Sequence, residues 1–458
     1  MSIGVDTPAQ GKGANPAQAR RPNNYFDGLP ISKTHLFLFI LIVCSYFFEQ
    51  LDNNNFAFIA PAIVKNGFVQ QNQIGVITGY YFIGMTLGGF LGGIISDLIG
   101  RRKTFLTAML IFSSMSILNG LTNNLGVFIF SRAATGFGVF MMMVTSIAYI
   151  SEMSPSESRG KWQSLTAAGG FLAMPAIGLI SRAIIPTGPD AYRLIFFIGG
   201  FGFITFFVGL KYLKESPRWL VSKGRVAEAE KVIKDLSGYD VDLSEVAKNQ
   251  PPKIRGIDQF IGMFKGKYLK RSLTLLLFGI PANIGAFILA VWIPTLAGMR
   301  GFTMEQSLNI GVAFMAGAPV GMFVASFFAD KGGRKIPLSI GLLLTACTAM
   351  IYAYFGNQYM LALIIAFTLN AFGMGQGFIA MAYVPEHYPT KMRNTAVGTI
   401  NAFQRLAVSF SQPFIPIFAA TFGVSALFLG IFALYAFAAI VVFILGQRTG
   451  GVPLEQIE

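Results

Sequence analysis

Long apolar stretches separated by short polar segments dominate this chain. Stretches of about 20 residues recur, and helices of that length cross a hydrocarbon layer ~30 Å thick. The pattern therefore predicts an all-α polytopic membrane protein with twelve transmembrane helices. The predicted spans are 36–60, 74–96, 104–122, 125–150, 161–184, 191–213, 272–298, 306–329, 336–355, 359–383, 396–420 and 424–446.

The polar segments predict the domain organisation. Residues 1–35 are rich in Gly, Pro, Ala and Gln, which predicts a disordered cytosolic tail and not a signal peptide. Bundles of six helices at 36–213 and 272–446 flank a polar loop at 214–271, and 447–458 form a C-terminal cytosolic tail. The loop spaces apolar residues by three and four in two places, which predicts amphipathic helices on the membrane surface.

The distribution of Lys and Arg predicts the orientation. Four of the 35 basic residues, Lys65, Arg182, Arg193 and Arg300, fall in loops on one side, two lie within spans, and 29 lie on the other side. By the positive-inside rule both termini are cytosolic. The same bias accounts for the net charge of +14, so we expect a lipid bilayer and no nucleic acid as partner.

Candidate enzyme chemistry is missing from the sequence. The two cysteines, Cys44 and Cys347, and the two histidines, His35 and His387, do not show metal-ligand spacing. We find no nucleophile motif, phosphate loop or dinucleotide fingerprint. We therefore expect a protein that is not an enzyme and that needs no metal or cofactor.

An internal repeat relates the two halves. YISEMSPSESRG (149–160) and YVPEHYPTKMRN (383–394) share Y-x-x-E-x-x-P-x-x-x-R, and all four shared positions have the same offset along the chain. GGIISDLIGRRK (92–103) and SFFADKGGRK (326–335) place Asp97 and Asp330 at nearly the same offset. Duplicated six-helix halves are a common construction of secondary transporters.

These motifs resemble those of the major facilitator superfamily over about residues 33–448, and together they look like its sugar-porter and organic-ion branches. The resemblance implies two pseudo-symmetric six-helix bundles, alternating access and a functional monomer. The residues that carry it are Gly93, Asp97, Gly100, Arg101, Arg102, Arg132, Gly136, Gly138, Tyr149, Glu152, Pro155, Arg159 and the segment ESPRWL (215–220).

Charged residues at the cytosolic helix ends are predicted to control conformation. We expect Asp97 to pair with Arg101 and Arg102, and we expect a second pair between Glu152 and Arg159. Such pairs can latch neighbouring helices in one state and release them in another; alternatively they only anchor helix ends. The predicted gating residues are Asp97, Arg101, Arg102, Glu152, Arg159, Asp330, Arg334, Glu386 and Arg393.

Two acids interrupt the first span, in FFEQLDNNNFAFIAP (47–61). A charge there costs about 2.5–3.5 kcal/mol and is a functional-site hypothesis by default. Glu49 and Asp52 share a helix face, and Asp52 and Arg132 lie ~12 Å and ~10 Å deep. Protonation of Asp52 would free Arg132, so these three are the predicted proton-coupling residues, with the proton as coupling ion. A permanent salt bridge is the alternative.

The resemblance supports this hypothesis. In proton-coupled sugar porters an acid of the first helix and the arginine of the fourth-helix motif have this relation, and Asp52 and Arg132 fall on the matching positions. The spacing of Glu49 and Asp52 is similar to the paired acidic motif of aromatic-acid:proton symporters.

Arg405 marks the predicted substrate site, because no acid lies near it in the C-terminal half of the sequence. Arg405 is ~13 Å into the eleventh span, close to the midplane where transporters bind substrates. A substrate carboxylate would satisfy its guanidinium; the alternative is bonding to carbonyls or snorkelling. The other predicted substrate-binding residues are Asn283, Asn370, Gln376, Asn401, Asn53 and Asn55.

The composition of this site favours an organic anion over a sugar. The seventh span contains Asn283 and lacks the Gln pair usual in sugar porters, and so few amides suit a hydroxyl-rich ligand poorly. The sequence therefore predicts a proton-coupled symporter that imports a small organic anion, an aromatic or heterocyclic monocarboxylate, across the inner (plasma) membrane. Sugar:proton symport, proton-driven multidrug or organic cation efflux, and a transporter-like receptor remain open as alternatives.

Overall fold

The computed structural model describes residues 25–248, 256–329, 333–389 and 392–449, and every regular element in these ranges is helical. Short 3₁₀ turns follow α6 and α16. The α-helices are α1 (Lys33–Asn66), α2 (Gln71–Ile99), α3 (Arg101–Leu121), α4 (Leu125–Met153), α5 (Arg159–Phe171), α6 (Ala173–Ile184), α7 (Tyr192–Gly199), α8 (Gly202–Tyr212), α9 (Pro217–Ser222), α10 (Val226–Ser237), α11 (Ser244–Lys248), α12 (Gly256–Met263), α13 (Gly266–Met299), α14 (Met304–Ser326), α15 (Lys335–Phe355), α16 (Tyr359–Tyr383), α17 (Arg393–Ser411), α18 (Phe414–Phe422) and α19 (Val424–Leu445).

Eleven helical stretches of the described chain are long and apolar enough to cross a membrane. The predicted span at 396–420 is not among these eleven, and it is divided into α17 and α18 at Gln412 and Pro413. Proline lacks the backbone N–H that would continue the helix. α17 also carries the polar residues Asn401, Gln404 and Arg405 within two helical turns. Short breaks also separate α5 from α6 and α7 from α8.

The first helix is longer than the predicted span at both ends, because caps define its limits. Ser32 accepts the His35 backbone N–H at 3.2 Å and begins the helix. Gly67 ends it with φ +83°, a left-handed conformation that favours glycine. The resulting helix has 34 residues and includes Pro61.

The same close helix packing occurs in both halves. Gly84 and Gly88 of α2 lie against backbone carbonyl oxygens of α4. Gly317 and Gly321 of α14, which correspond to them in the internal repeat, lie against backbone carbonyl oxygens of α16. Small residues let helices approach closely in this way. We call α1–α8 the N-terminal bundle and α13–α19 the C-terminal bundle.

The two bundles meet at one end of the molecule. We call the end at which α2, α4 and α16 finish the motif face, because the repeated motifs lie there, and the other end the opposite face. Ser409 of α17 donates to the Gly79 carbonyl of α2 at 2.9 Å. Phe58 of α1 packs against Gly178 of α6 and Gly311 of α14. These contacts lie within about two helical turns of the opposite face and close the central space there.

Part of the predicted disordered tail is ordered, which corrects the prediction for 25–35. Phe26 is 2% exposed, and Asp27 accepts the Ser156 backbone N–H at 2.6 Å. Burial of aromatic side chains against the N-terminal bundle offsets the entropic cost of ordering this segment. Residues 1–24 and 450–458 lie outside the described chain.

The amphipathic spacing in the central loop does produce a helix with one buried face. In α10, Ala229, Ile233 and Leu236 are buried. This face packs against α9 and α1, whereas the prediction placed it against the membrane surface. Leu236 also accepts a hydrogen bond from Ser32 next to α1.

Large apolar side chains cover the outside of the spans. Phe90 is 66% exposed and Phe323 is 67% exposed, at corresponding positions of α2 and α14. Soluble monomers rarely leave contiguous apolar patches of this kind. The surface fits a hydrocarbon environment around the two bundles.

Candidate functional site

Asp52 lies in a buried polar cluster on α1 and is 1% exposed. Its Oδ1 accepts from Asn55 Nδ2 at 3.0 Å and lies within hydrogen-bond distance of the Ser116 hydroxyl on α3. Its Oδ2 has no hydrogen-bond partner among the described residues. Asn55, predicted to bind substrate, is therefore buried as a partner of Asp52.

Ser116 connects Asp52 to a backbone carbonyl. Its hydroxyl is also 2.8 Å from the Phe196 carbonyl oxygen on α7. One hydroxyl hydrogen can serve only one acceptor, so Ser116 donates either to ionised Asp52 or to Phe196. A protonated Asp52 can donate to Ser116 while Ser116 donates to Phe196, so both protonation states keep a hydrogen bond to Asp52.

Glu49 lies one turn before Asp52 and is fully buried. Gln50 Nε2 donates to its Oε2 at 3.1 Å, and its Oε1 has no partner in the described chain. Arg405 of α17 is close enough to interact with it electrostatically. Glu49, the acid near Arg405, thus belongs to the N-terminal bundle. The C-terminal half of the sequence, which contains Arg405, does not reveal this neighbour.

Arg132 of α4 lies in an aromatic cage and is 1% exposed. Its Cζ is 4.4 Å from the ring centre of Tyr81 and 4.7 Å from that of Phe56. Nε and Nη1 have no hydrogen-bond partner among the described residues. The predicted contact ion pair between Arg132 and Asp52 is not formed. The aromatic rings hold Arg132, whereas Asn55 and Ser116 hold Asp52. The two charges interact only through space.

Arg405 extends from the C-terminal bundle onto the N-terminal bundle. Its Cζ is 4.0 Å from the ring centre of Phe140 on α4 and 5.2 Å from that of Phe287 on α13. Its Nη1 is 3.7 Å from Met85 Sδ on α2. No carboxylate or carbonyl oxygen in the described chain accepts a hydrogen bond from it, so its assignment to a substrate carboxylate stays a prediction.

A cavity of about 40 Å³, which has room for a few water-sized groups, lies between the two bundles beside Arg132. Asn53, a predicted substrate-binding residue, lies in its wall and accepts from the Tyr81 hydroxyl at 2.7 Å. The wall consists of Asn53, Asn54, Phe56, Ala57, Thr78, Tyr81, Phe82, Arg132, Phe287, Ala290 and Val291.

Two of the predicted amides lie on α13 and α17 near Arg405. Asn283 Nδ2 donates to Gln404 Oε1 at 3.0 Å and so connects the two helices. Asn401 is exposed, one turn before Arg405. Gln404 was not predicted, although its position next to Arg405 was a usable signal.

The other two amides lie in helix packing inside the C-terminal bundle and not in the cavity wall. Asn370 of α16 donates to the Phe314 carbonyl of α14 at 2.7 Å. Gln376 packs against Gly341 of α15, where an added Cβ would lie 2.8 Å from Gln376 Cβ. Their position along the helix could be read from the sequence, but the helix faces on which they lie could not.

Arg101 is the centre of the charged cluster at the motif face of the N-terminal bundle. Its Nη1 donates to Asp97 Oδ1 at 2.7 Å, and its Nη2 donates to Glu152 Oε1 at 2.8 Å. The predicted pair of Glu152 with Arg159 is absent, because Arg101 takes the carboxylate. Nε and Nη2 of Arg159 have no hydrogen-bond partner among the described residues.

Glu215, from the segment ESPRWL, completes this cluster and was not predicted. Its Oε1 accepts the backbone N–H groups of Arg101 at 2.8 Å and Arg102 at 3.1 Å, so it caps α3. Burial raises the pKa of this carboxyl. Arg102 donates to the Leu210 carbonyl at 2.6 Å, which replaces its predicted pairing with Asp97.

The C-terminal bundle repeats the central pair. Arg334 Nε donates to Glu386 Oε1 at 2.7 Å, and these residues correspond to Arg101 and Glu152 in the internal repeat. Arg393 donates to the Tyr388 carbonyl at 3.3 Å. The predicted gating residue Asp330 lies outside the described residues.

Comparison with known proteins gives consistent matches over almost the whole chain. The sequence profile described as Major Facilitator Superfamily matches residues 42–412 and 275–455. The inner membrane metabolite transport protein YdjE of Escherichia coli is 27% identical over 94% of this chain and 97% of its own. The niacin transporter NiaP of Acinetobacter baylyi is 26% identical over 94% of this chain and 98% of its own. The inward open structure of the xylose transporter XylE from E. coli has a TM-score of 0.74 at 19% identity, covering 92% of this chain and 99% of that chain.

Proposed function

Because this chain belongs to the Major Facilitator Superfamily, we propose that it is a proton-coupled symporter for a small aromatic or heterocyclic monocarboxylate. Membership makes the chain a multi-pass membrane transporter and not an enzyme. One observation carries the finer proposal. Glu49 and Asp52 are buried near Arg132 and Arg405 without forming a contact ion pair in the described structure.

Asp52 is the proton-binding group in this proposal. Burial of an ionised carboxylate without a contacting cation costs several kcal/mol, so this acid gains from protonation or from the approach of Arg132. Ser116 can accept from the protonated acid and donate to the ionised one. The site can therefore load and release a proton with little rearrangement.

Arg405 is the substrate anchor in this proposal. A carboxylate can accept two parallel hydrogen bonds from one guanidinium, which fixes its orientation. The rings of Phe140 and Phe287 beside Arg405 suit a flat apolar body. Protonation of Glu49 would remove the competing negative charge near Arg405, so proton and anion binding would support each other.

The positive-inside rule assigns a side of the membrane to each face in this proposal. The motif face carries the basic loops, so we assign it to the cytosol of the inner (plasma) membrane. The two bundles are in contact near the opposite face, which is the arrangement expected of an inward-facing state. Import into the cytosol is the proposed direction, and a carboxylate substrate agrees with the similarity to the niacin transporter NiaP.

The test is the pH change outside proteoliposomes when substrate is added to the purified protein. The panel contains aromatic acids, aliphatic acids, hexoses and lipophilic cations, with protein-free liposomes as the control for passive entry of weak acids. We expect proton uptake with aromatic carboxylates. A response to hexoses alone would establish sugar symport, and proton release with cations would establish efflux; either result overturns the proposal.

A further inference from the structure

We propose that the cavity beside Arg132 is a second binding station for the transported carboxylate, in which Arg132 binds the carboxylate and the cavity wall binds the ring. This inference rests on the proposed function and adds a site that is separate from Arg405. Arg132 then has two alternative anionic partners, Asp52 and the substrate.

The first argument is the unsatisfied state of Arg132. A guanidinium has five N–H donors, and those on Nε and Nη1 have no hydrogen-bond partner among the described residues. Arg132 is 1% exposed, so surface water does not replace the missing acceptors. The rings of Tyr81 and Phe56 stabilise the charge through their faces, but they leave the donors free for an anion.

The second argument is the chemistry of the cavity wall. Arg132 is its one charged member among the described residues, so an anion entering the cavity meets a cation and no carboxylate. Asn53 accepts from Tyr81 through its oxygen, which leaves its amide N–H₂ as a donor for a ligand. Thr78 also lines this wall, but its hydroxyl donates to the Ile74 carbonyl at 2.8 Å. The N–H donors that the wall offers to a carboxylate are therefore those of Arg132 and Asn53.

The third argument is the apolar part of the wall. Phe82 and Phe287 pack edge to face with ring centres 4.8 Å apart and an interplanar angle of 73°. A flat ring placed beside them gains both buried apolar area and edge-to-face contacts. Phe82 belongs to the N-terminal bundle and Phe287 to the C-terminal bundle, so a bound ring would contact both bundles.

Phe287 also connects the two stations. The same ring lies 5.2 Å from Arg405 Cζ and in the wall of the Arg132 cavity. A carboxylate that leaves Arg132 therefore passes one aromatic ring before it reaches Arg405, which lies nearer the motif face. Two cations in series keep the anion stabilised along this path.

Competition for Arg132 explains how anion and proton would be coupled. Ionised Asp52 attracts Arg132, whereas protonated Asp52 does not, so a substrate carboxylate binds best when Asp52 is protonated. The other titratable or charged groups around the cluster are Glu49 and Tyr46 on α1, Tyr81 on α2 and Arg405 on α17. Binding of the anion should accordingly take up a proton, and affinity should fall as pH rises.

The experiment is isothermal titration calorimetry of the purified full-length protein in detergent. Benzoate and nicotinate are titrated from about pH 6 to about pH 8, a range in which both probes are ionised. The variants are Arg132→Gln, Arg132→Lys, Arg405→Gln and Phe287→Leu, with Arg182→Gln as control. Arg182 is an exposed residue of α6, so its replacement removes the same charge outside the site. Benzamide and nicotinamide serve as neutral probes of the same shape.

We expect Arg132→Gln to weaken benzoate binding at least about tenfold, which is ~1.4 kcal/mol, and Arg182→Gln to leave it unchanged. Arg132→Lys should retain part of the affinity, which also shows that the site is folded. Phe287→Leu should weaken benzoate and nicotinate but not an aliphatic acid of similar size. The amides should bind weakly to every form.

Unchanged benzoate affinity in Arg132→Gln, together with loss in Arg405→Gln, would overturn this inference and leave the proposed function intact. Failure of the wild type to bind any carboxylate, with proton uptake on addition of a hexose to proteoliposomes, would instead refute the proposed function. Equal loss with Arg182→Gln would attribute the effect to net charge and would also overturn the inference.

Discussion

At the scale of single residues, three buried charged side chains and the partly buried Arg405 are the feature that needs an explanation. An isolated ion pair in a protein interior contributes little to stability, and a buried charge without a contacting partner is unfavourable by several kcal/mol. Glu49 interacts through space with Asp52 and Arg405, and Asp52 interacts through space with Arg132. None of these four residues forms a contact ion pair within the described structure. Such an arrangement is suited to gaining and losing protons and an anion.

Replacing Asp52 by asparagine should separate transport from proton coupling. The asparagine amide would keep a hydrogen bond to Ser116 but could not bind a proton. We expect accumulation of labelled nicotinate under an imposed pH gradient to fall to the level of protein-free liposomes, while exchange of labelled for unlabelled nicotinate continues. Accumulation equal to that of the wild type would remove Asp52 from the coupling site.

Gly199 tests the geometry of the same site. A Cβ at this position would contact both Ser116 Oγ and Asp52 Oδ1, so Gly199→Ala should separate the two groups and shift the pH at which uptake is half-maximal. Gly377→Ala is the matched control, because a Cβ there has no atom within 4 Å. Identical pH profiles for the two variants would contradict the role of Ser116 as a partner of Asp52.

At the scale of helices, the internal repeat is seen in the contacts between helices as well as in the sequence. Arg101 with Glu152 and Arg334 with Glu386 join neighbouring helices at the motif face of each bundle. Each pair connects helices of one bundle, so each would help that bundle to move as a unit. The helices and this duplication could be predicted from apolar stretches and a constant offset, since both are properties of the chain order.

The partners of individual residues were harder to predict. The repeated motif suggested Arg159 as the partner of Glu152, but Arg101 occupies that position because α3 begins next to the end of α4. Asn370 has the right depth for a binding site but faces α14. Depth follows from position in a span, whereas the face of a helix depends on how its neighbours pack.

The repeated glycine contacts give a prediction about stability. Gly84→Ala and Gly317→Ala should each place a Cβ on a backbone carbonyl of the adjacent helix and destabilise the protein by about 1–3 kcal/mol. Both variants should unfold at lower temperature in detergent at a fixed scan rate, whereas Gly377→Ala should not. Equal unfolding temperatures for all three variants would show that the helices accommodate the added Cβ without loss of stability.

At the scale of the whole molecule, the two bundles meet near the opposite face and enclose the charged cluster from that side. Contacts such as Ser409 with Gly79, and Phe58 with Gly311, join segments from opposite halves of the chain. A pattern read along one chain does not reveal such contacts, and so the proximity of Glu49 to Arg405 and the cavity beside Arg132 became visible only in the folded molecule. The class of fold followed from the sequence, but the arrangement of the central site did not.

Proton movement with substrate is the most direct test of the central claim. Three samples are compared: proteoliposomes with wild-type protein, proteoliposomes with Asp52→Asn protein, and protein-free liposomes. Nicotinate is added at about pH 7 without an imposed pH gradient, and the external pH is recorded. Coupled symport predicts alkalinisation of the medium with wild-type protein beyond that with the other two samples. Nicotinate uptake by the wild type without any additional alkalinisation would contradict the account.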